Sequence, residues 1–426
     1  MCNNQAFVVT TRAGGVLLNQ KEILHQMREV VRISRNKAKE TVIAVGGSTG
    51  GHRDDAARFW EEMRKVEKNE ESLSLVRSAI FFVCIDEADS TSANSSNRGW
   101  NSEQNCHRVL HGCGTKNGSL NRWFNATCQL IIARDGTNGI CLEHSATDGI
   151  VAYNIHRTVH SYINERRESE KEIPMTVVIS PKPLTWYVSA ECKELLDKMA
   201  AEMDAGSSDL QLHIVKFDEF GRKLIKSLHH SPDGFVQLTM QLAYYRTHKR
   251  ICTTYESASL RRFEDGRVDN IRAATPEVLA WVKAMDDPHT PVARKKALFN
   301  SAAAKQALIT KEAISGFGID NHLAALYYIA EDAHQSYPIF EDPLWKELQC
   351  FILGTSQVTT DENETDLFFA YGPMVKNGYG CCYNIQNNRI TFLTSANRSQ
   401  PELNIDEFKK ALTTALKDIR VLITCD

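Results

Sequence analysis

The stretch QLIIARDGTNGICLEHSATDGI, residues 129–150, contains two short apolar runs separated by turn signals. Apolar and polar residues alternate in QLIIARDG and in TNGICLEH, and Asp135-Gly136 and Asn138-Gly139 are dipeptides typical of tight turns. We therefore predict an antiparallel hairpin here. His144 would be the last residue of its second strand.

The residues that follow the hairpin predict a helix. Apolar side chains recur at helical spacing between Ile150 and Ile163, so Asp148 falls in the first turn of an amphipathic helix. A carboxylate there complements the helix dipole and can also reach the imidazole of His144. Two interpretations follow: an oriented general base, or, more simply, a satisfied polar group at the end of a strand.

Length, charge and cysteine usage narrow the class of protein. The chain has 426 residues, enough for two or three domains with separate cores, and its net charge of -3 favours neither nucleic acid nor an anionic membrane as partner. Twelve cysteines are dispersed without a CxxC pair, and the N-terminus lacks signal-peptide features. These features predict a cytoplasmic location. No apolar run approaches the ~18 residues of a membrane helix, so we predict a soluble protein.

Strand-like runs alternate with helical stretches, which predicts an α/β chain. The strand-like runs are QAFVVTT, TVIAVGG, SAIFFVCID, QLIIARDG and GICLEH in the first half, and CFILGTSQV, DLFFAYGP, GCCYNIQ and RITFLTSA near the end. Long helical patterns occupy residues 232–250 and 302–336 between them. The polar, Ser/Asn-rich residues 86–106 predict a flexible surface loop.

Three further patterns were considered as ligand sites. GGSTGG at residues 46–51 lacks the Gly-Lys-Ser/Thr ending of a phosphate loop, so we interpret it as a strand-to-helix turn. His156 and His160 share a helix face but have no Glu or Cys partner at ligand spacing, so no metal is predicted. Basic residues between Lys216 and Lys226 precede the helix start Ser231-Pro232-Asp233. They fit either a phosphate site or a solvated patch.

Segments in one order along nearly the whole chain resemble the choline/carnitine acyltransferase family. They are EHSATDG (143–149), KFDEFGRKLIK with HSPDGFVQLTMQLAYYR (216–246), TYESASLRRFEDGRVDNIRAATPE (254–277), IDNHLAAL (319–326), TSQV (355–358) and YGPMVKNGYGCCYN (371–384). The resemblance implies a two-lobe CoA-dependent acyltransferase fold, similar to chloramphenicol acetyltransferase, with mixed sheets and flanking helices. It also implies transfer of the acetyl group of acetyl-CoA to the hydroxyl of choline in a ternary complex.

The same resemblance implies the catalytic residues. His144 would be the general base that takes the proton of the acceptor hydroxyl, and Asp148 would orient its ring and stabilise its charged form. Arg267 would pair with Asp148. Ser356 would stabilise the tetrahedral oxyanion.

Cofactor residues are also implied by the resemblance, with acetyl-CoA as co-substrate and no metal. Arg222 and Lys226 would hold the 3′-phosphate of CoA, and Arg222 stands where many relatives carry Lys. The pantetheine and nucleotide path would be lined by Asp233, Glu256, Ser257 and Gln357.

The charges of the residues at the implied acceptor site indicate which acceptor is used. By the resemblance, Val268, Asn270 and Asn321 stand at the positions where carnitine enzymes meet the carboxylate of carnitine with an Arg and hydroxyl donors. These three residues offer no cation, so a buried carboxylate would stay unpaired. Choline has no carboxylate, and its trimethylammonium group would lie against the ring of Tyr371. Tyr255 and Met374 complete the implied acceptor site. Gly354 and Met374 depart from the usual family pattern of Ser and Val.

The resemblance places a catalytic lobe at residues 1–220, incomplete at its N-terminus, and a CoA- and choline-binding lobe at 221–426. Relatives carry a long preceding portion, so we expect either that this sequence is part of a longer one or that the protein lacks that portion. A monomer in the cytoplasm of cholinergic neurons, active in neurotransmitter biosynthesis, is the implied setting. A carnitine O-acyltransferase and an inactive truncated chain that only binds CoA or a partner remain as alternatives.

Overall fold

A computed structural model describes residues 1–37, 42–87, 102–166, 174–364 and 366–424. The chain forms two compact units, Met1–Ser208 and Asp209–Asp426. Residues 210–217 form a strand, not recognised in the sequence, that is hydrogen-bonded along its length to residues 390–397 of the second unit. The division into a catalytic lobe at residues 1–220 and a CoA- and choline-binding lobe at 221–426 stays a prediction.

In its described residues, the first unit combines short strands with six α-helices. Its strands are β1 (Phe7–Val8), β2 (Arg12–Ala13), β3 (Val16–Leu17), β4 (Phe82–Asp86), β5 (Cys128–Ala133), β6 (Asn138–Leu142) and β7 (Lys182–Pro183). Its helices are α1 (Gln20–Lys37), α2 (Arg53–Arg64), α3 (Glu67–Arg77), α4 (Ser102–His111), α5 (Gly149–Arg166) and α6 (Ala190–Asp209).

The predicted hairpin is confirmed. β5 and β6 are antiparallel, with Cys128 opposite Leu142, and β4 lies parallel to β5 on its other side. The turn closes through Ala133 N, which donates to Thr137 O at 2.8 Å. Gly136 has a φ of 92°, a conformation that favours glycine.

A buried ion pair lies beside this sheet in the core of the first unit. Arg122 is fully buried and donates from both terminal nitrogens to the carboxylate of Asp86, at 2.8 and 2.7 Å. Its Nη2 also donates to Arg108 O at 3.0 Å. Such bidentate geometry, with additional hydrogen bonds, is what allows two charges to be buried together.

Two predictions for the first unit are wrong. Residues 42–47 of TVIAVGG do not form a strand, because residues 45–49 turn in a short 3₁₀ helix in which Gly46 approaches Arg122 O too closely for any side chain. Residues 102–106, predicted as loop, begin helix α4. Residues 88–101 of that predicted loop lie outside the described residues.

The second unit contains the larger sheet. Its strands are β8 (Leu210–Phe217), β9 (Thr254–Tyr255), β10 (Ser257–Ser259), β11 (Val268–Asn270), β12 (Leu353–Gln357), β13 (Tyr379–Ile385) and β14 (Ile390–Asn397). Its helices are α7 (Arg222–Ser227), α8 (Pro232–His248), α9 (Pro276–Asp286), α10 (Val292–Glu312), α11 (Asp320–Asp332), α12 (Pro338–Glu341), α13 (Pro343–Gln349) and α14 (Ile405–Thr424).

Five of these strands form one mixed sheet in the order β8-β14-β13-β12-β9. β12 is parallel to both of its neighbours, whereas β14 is antiparallel to both β13 and β8. Helices α8 and α14 pack together against the apolar core. Every residue of α8 from Phe235 to Tyr244 is buried, so α8 is a central helix. The predicted mixed α/β fold is confirmed.

The prediction of one long helix at residues 302–336 is wrong. α10 begins earlier, at Val292, and a π-helical turn at Ala313–Phe317 separates it from α11. Gly316 adopts a φ of 83°, and a side chain at Gly318 would lie 2.1 Å from an oxygen of Asp269. DLFFAYGP is not a strand in its described residues. No helix in the described parts of the chain is long and apolar enough to cross a membrane.

Candidate active site

His144 lies in the connection between β6 and α5, two residues beyond the end of the strand. The prediction that it ends the strand is therefore wrong. Glu143 causes the bend, because its carboxylate accepts hydrogen bonds from the backbone N and the hydroxyl of Ser145. Asp148 immediately precedes α5, and its Oδ1 lies 4.0 Å from Nδ1 of His144. This is an ion-pair distance rather than a hydrogen bond.

The His144 side chain is 69% exposed, whereas that of Asp148 is 18% exposed. An exposed imidazole held near a half-buried carboxylate is accessible to a substrate hydroxyl. The arrangement is therefore compatible with a general base, and a small movement of the ring would form the hydrogen bond.

Ser356 lies near the end of β12, opposite Cys382 of β13 in the parallel register. Its side chain lies on the same face of the sheet as the thiol of Cys382. Burial raises the pKa of Cys382 to about 12, so this neighbour stays a neutral thiol. Ser356 itself is half-buried, so its hydroxyl is accessible.

Tyr371 and Met374 both lie against Gly354, two residues before Ser356. The phenol of Tyr371 donates to Gly354 O at 3.0 Å, and enclosure raises its pKa well above the usual value. Met374 covers the α-carbon of Gly354 while its side chain remains half exposed. Gly354 and Met374 are thus in direct contact.

The β10–β11 hairpin carries three predicted acceptor or cofactor residues. Asn270 is buried, and its amide oxygen accepts from Glu256 N at 2.9 Å while its nitrogen donates to Thr254 O at 3.5 Å. It therefore ties two strands together. Ser257, its register partner, is exposed. Val268 is half-buried, and its carbonyl accepts from Nδ2 of Asn321 at 2.8 Å.

Buried Asp269 is a positioning residue that the sequence analysis missed. Its Oδ1 accepts from Asn270 N at 2.8 Å and from Asn321 N at 3.3 Å, and so fixes the start of α11 beside β11. Arg272 supports the same junction through an ion pair with Asp320 and a hydrogen bond to Leu348 O at 3.1 Å. Their signal was an Asp and an Arg within VDNIR, residues 268–272, where they alternate with the apolar residues Val268 and Ile271.

The two predicted phosphate ligands differ in their surroundings. Arg222, at the start of α7, directs Nε and Nη2 to Ile385 O at 3.2 and 2.5 Å. Lys226 is exposed in the last turn of α7. Lys226 is therefore accessible to a phosphate. The guanidinium of Arg222 would donate both to the phosphate and to Ile385 O.

Asp233 and Glu256 are joined in a buried network instead of lying open to solvent. Asp233 is hydrogen-bonded to Glu256 and accepts from the Tyr383 hydroxyl at 2.5 Å, while Glu256 accepts from Gln306 at 2.9 Å. Burial, and then the nearby charge of Asp233, raise the pKa of Glu256 well above its usual value. A protonated Glu256 can share its proton with Asp233.

The network continues to the strand that carries Ser356. Gln237 donates to the Tyr383 hydroxyl at 3.0 Å and to the Thr355 hydroxyl at 2.9 Å, and Thr355 in turn donates to Tyr255 O at 2.7 Å. Gln237 follows Asp233 by four residues on α8, which was the available sequence signal. The network therefore links the start of α8 to β12 and β9.

The remaining predicted residues are at the surface or half-buried. Gln357 is exposed and donates to Thr359 at 3.1 Å, and the Tyr255 ring lies edge-on to Phe351. Arg267 is exposed just before β11. Its pairing with Asp148 stays a prediction. The described residues contain no group of three or more His, Cys, Asp or Glu arranged to hold a metal ion.

The profile of the family described as Choline/Carnitine o-acyltransferase matches residues 1–414. The chain belongs to the choline/carnitine acyltransferase family. The resemblance inferred from the sequence motifs is thereby confirmed.

Both choline O-acetyltransferases and a carnitine O-acetyltransferase are similar to the chain. Choline O-acetyltransferase of Homo sapiens is 35% identical over 99% of this chain and 55% of its own length, and that of Mus musculus is 36% identical over 99% and 65%. Carnitine O-acetyltransferase of Rattus norvegicus is 36% identical over 96% and 64%. The chain therefore spans between about half and two thirds of these acyltransferases. A structure of chloramphenicol acetyltransferase aligns over 49% of this chain and 88% of its own with 9% identity and a TM-score of 0.29.

Proposed function

We propose that the protein transfers the acetyl group of acetyl-CoA to the hydroxyl of choline, giving acetylcholine and CoA. The observation that carries the proposal is the uncharged acceptor surface formed by Val268 and Asn321, which are joined by a 2.8 Å hydrogen bond. A carboxylate placed there would gain no ion pair from either residue. The quaternary ammonium of choline needs none.

His144 acts as the general base in this proposal. It removes the proton of the choline hydroxyl while the oxygen attacks the thioester carbonyl, and the C–S bond then breaks as the proton passes to the leaving CoA sulfur. Asp148 stabilises the imidazolium that forms in between. A positioned base of this kind contributes ~10²–10⁴ in rate.

Ser356 stabilises the oxyanion of the tetrahedral intermediate by donating its hydroxyl proton. The neighbouring Cys382 thiol is compatible with this role, because a thiol that stays protonated adds no negative charge beside the developing oxyanion. Tyr371 presents its ring to the trimethylammonium group, a contact worth ~0.5–2 kcal/mol.

Acetyl-CoA is the co-substrate, with Lys226 and Arg222 on its 3′-phosphate. Ser257 and Gln357, both exposed, fit direct contact with the pantetheine or nucleotide. Asp233 and Glu256 belong to the buried network and support the residues that line that path. Loss of the Lys226 side chain should therefore weaken the binding of CoA more than the binding of dephospho-CoA. Calorimetry would measure both affinities.

The acceptor assignment is tested with the purified chain and both acceptors. We expect a higher kcat/KM for choline than for carnitine. The substitution Asn321→Arg should shift the ratio toward carnitine by roughly severalfold, because an exposed charge is screened. Asn300→Arg, the same change at an exposed position of α10, is the matched control. Asn270 is unsuitable for this test because its replacement would disrupt the strands that it joins.

The catalytic assignment is tested with His144→Gln. We expect kcat to fall by ~10²–10⁴ while CoA binding is retained. His160→Gln, at an exposed position of α5, should leave kcat unchanged. Equal effects of the two substitutions would contradict the role of His144.

Two alternatives give different outcomes. A carnitine O-acyltransferase would prefer carnitine, and the 36% identity to the rat carnitine enzyme makes this the main competitor. An inactive chain would bind CoA in calorimetry but transfer no acetyl group to either acceptor.

A further inference from the structure

The buried amide of Gln237 connects α8 to two strands of the mixed sheet. Gln237 is fully buried, and its Nε2 donates to the hydroxyls of Thr355 at 2.9 Å and Tyr383 at 3.0 Å. The Thr355 hydroxyl itself donates to Tyr255 O at 2.7 Å. That of Tyr383 donates to Asp233 at 2.5 Å. Both hydroxyls can therefore only accept from Gln237, so both N–H groups of its amide are used to hold β12 and β13.

The hydrogen bond from Gln237 to Thr355 holds the end of β12. Backbone pairing of β12 with β9 covers residues 353–354. Beyond it, the bond from the Thr355 hydroxyl to Tyr255 O joins the two segments, and Gln237 fixes that hydroxyl from the side of α8. Successive side chains of a strand alternate between its faces, so Ser356 projects from the face opposite to Thr355. A shift of Thr355 toward or away from α8 therefore also displaces Ser356.

The carbonyl oxygen of the same amide indicates a role other than stability. Oε1 of Gln237 is buried without a hydrogen-bond partner among the described residues. An unpaired buried acceptor destabilises the folded state, and an apolar side chain here would avoid this.

Gln241, one turn later on α8 and equally buried, differs in this respect. It donates to Thr254 at 2.6 Å and to Cys252 O at 3.3 Å, and its oxygen accepts from Cys252 N at 3.4 Å. Both ends of its amide are satisfied, so Gln241 is a matched structural control for Gln237.

We propose that Gln237 is a positioning residue for acetyl transfer, which acts through Thr355 to fix the end of β12 where the Ser356 hydroxyl meets the oxyanion. The inference rests on the proposed function, in which Ser356 donates to that oxyanion. Gln237 touches no substrate in this role. Its removal lets the strand end move, and a misplacement of about 0.5 Å is enough to weaken a preorganised donor.

The first test is Gln237→Met, which removes the amide and keeps a side chain of similar length. The hydroxyls of Thr355 and Tyr383 keep the acceptors to which they donate, and the unpaired oxygen is gone, so the thermal midpoint should not fall. We expect kcat for choline acetylation to fall about tenfold, a part of what the oxyanion donor contributes, with the KM for choline unchanged. Gln241→Met should show the reverse, with a lower midpoint because Cys252 N loses this acceptor, and with a wild-type kcat.

A double-mutant cycle shows whether the effect passes through Ser356. In the Ser356→Ala background, Gln237→Met should lower kcat no further, whereas independent effects would multiply. A wild-type kcat in Gln237→Met, or an equal loss in both backgrounds, overturns the positioning role. If Gln237→Met does not fold, Thr355→Val takes its place in the same cycle with the same expected result. That substitution removes the hydroxyl that accepts from Gln237 and keeps the shape of the side chain.

The outcomes separate this inference from the proposed function. A wild-type chain that acetylates choline, with an unchanged kcat in Gln237→Met, overturns the positioning role and leaves the function standing. If carnitine is the preferred acceptor, the acceptor assignment falls, and the same cycle run with carnitine decides the role of Gln237. A wild-type chain that acetylates neither acceptor contradicts the proposed function, and the positioning role fails with it.

Discussion

Ser356 is half-buried near the end of β12, beside the neutral thiol of Cys382. Replacing its hydroxyl removes one donor to the oxyanion and leaves the strand intact. We therefore predict that Ser356→Ala lowers kcat by ~10²–10³ with little change in the KM for choline. Ser74→Ala, at an exposed position of α3, should have no effect in the same steady-state assay.

Glu22 predicts a pH effect on stability. Its carboxylate accepts from the backbone of Asn19, from the backbone and hydroxyl of Thr176 and from Val177 N, and these bonds lower its pKa from 4.5 to about 2. Because the folded pKa is lower than the unfolded one, this stabilisation is present above pH 4.5 and is lost as the pH falls toward 2.

The corresponding variant is Glu22→Gln. It should show a smaller fall in the free energy of unfolding between pH 4.5 and 2 than the wild type, as measured by denaturant titration at each pH. Glu194→Gln, at an exposed position of α6, should follow the wild-type curve. Parallel curves for Glu22→Gln and wild type would show that these hydrogen bonds do not form in solution.

Motifs in the sequence identified the residues with chemical roles but not the partners of their side chains. Arg222 bonds to Ile385 O, 163 residues away, and Asp233 bonds to Tyr383, 150 residues away. Such contacts depend on how strands pair in three dimensions. Local spacing does not encode them.

Among the elements, the connection from α10 to α11 depends on one close approach. A β-carbon at Gly318 would collide with the Asp269 carboxylate, which fixes the start of α11. We predict that Gly318→Ala lowers the thermal midpoint. Gly206→Ala in α6, where no atom lies within 4 Å of the added carbon, should instead stabilise the protein by about 0.5–1 kcal/mol.

Thermal unfolding followed by circular dichroism would distinguish the two glycine variants. A loss in both would indicate that any added methyl group is harmful, independent of Asp269. A gain in both would show that Asp269 moves aside without cost.

Elements with a strong local pattern were predictable. The β5–β6 hairpin and α8 follow from turn dipeptides and from the helix start at Ser231-Pro232-Asp233. TVIAVGG and DLFFAYGP have strand composition, yet close packing of Gly46 against Arg122 O and of Tyr371 against Gly354 requires other conformations. The periodicity of α5 predicted a helix correctly, but its apolar residues Ile155 and Val159 remain exposed.

At the scale of the whole molecule, each unit has its own apolar core. We predict two calorimetric transitions. Phe59→Ala and Phe392→Ala each remove a fully buried ring and should cost about 3–5 kcal/mol, one in each transition. A single transition that both substitutions shift equally would show that the two cores unfold as one cooperative unit.

The reactivity of the buried free thiols can report when each unit opens. Cys84 in the first unit and Cys252, Cys381 and Cys382 in the second are buried, and burial raises the pKa of each. Alkylating reagents attack the thiolate, so these sulfurs are protected both by enclosure and by protonation. Pulsed alkylation followed by peptide mass mapping would therefore show when the buried thiols of each unit become exposed. No label has to be introduced.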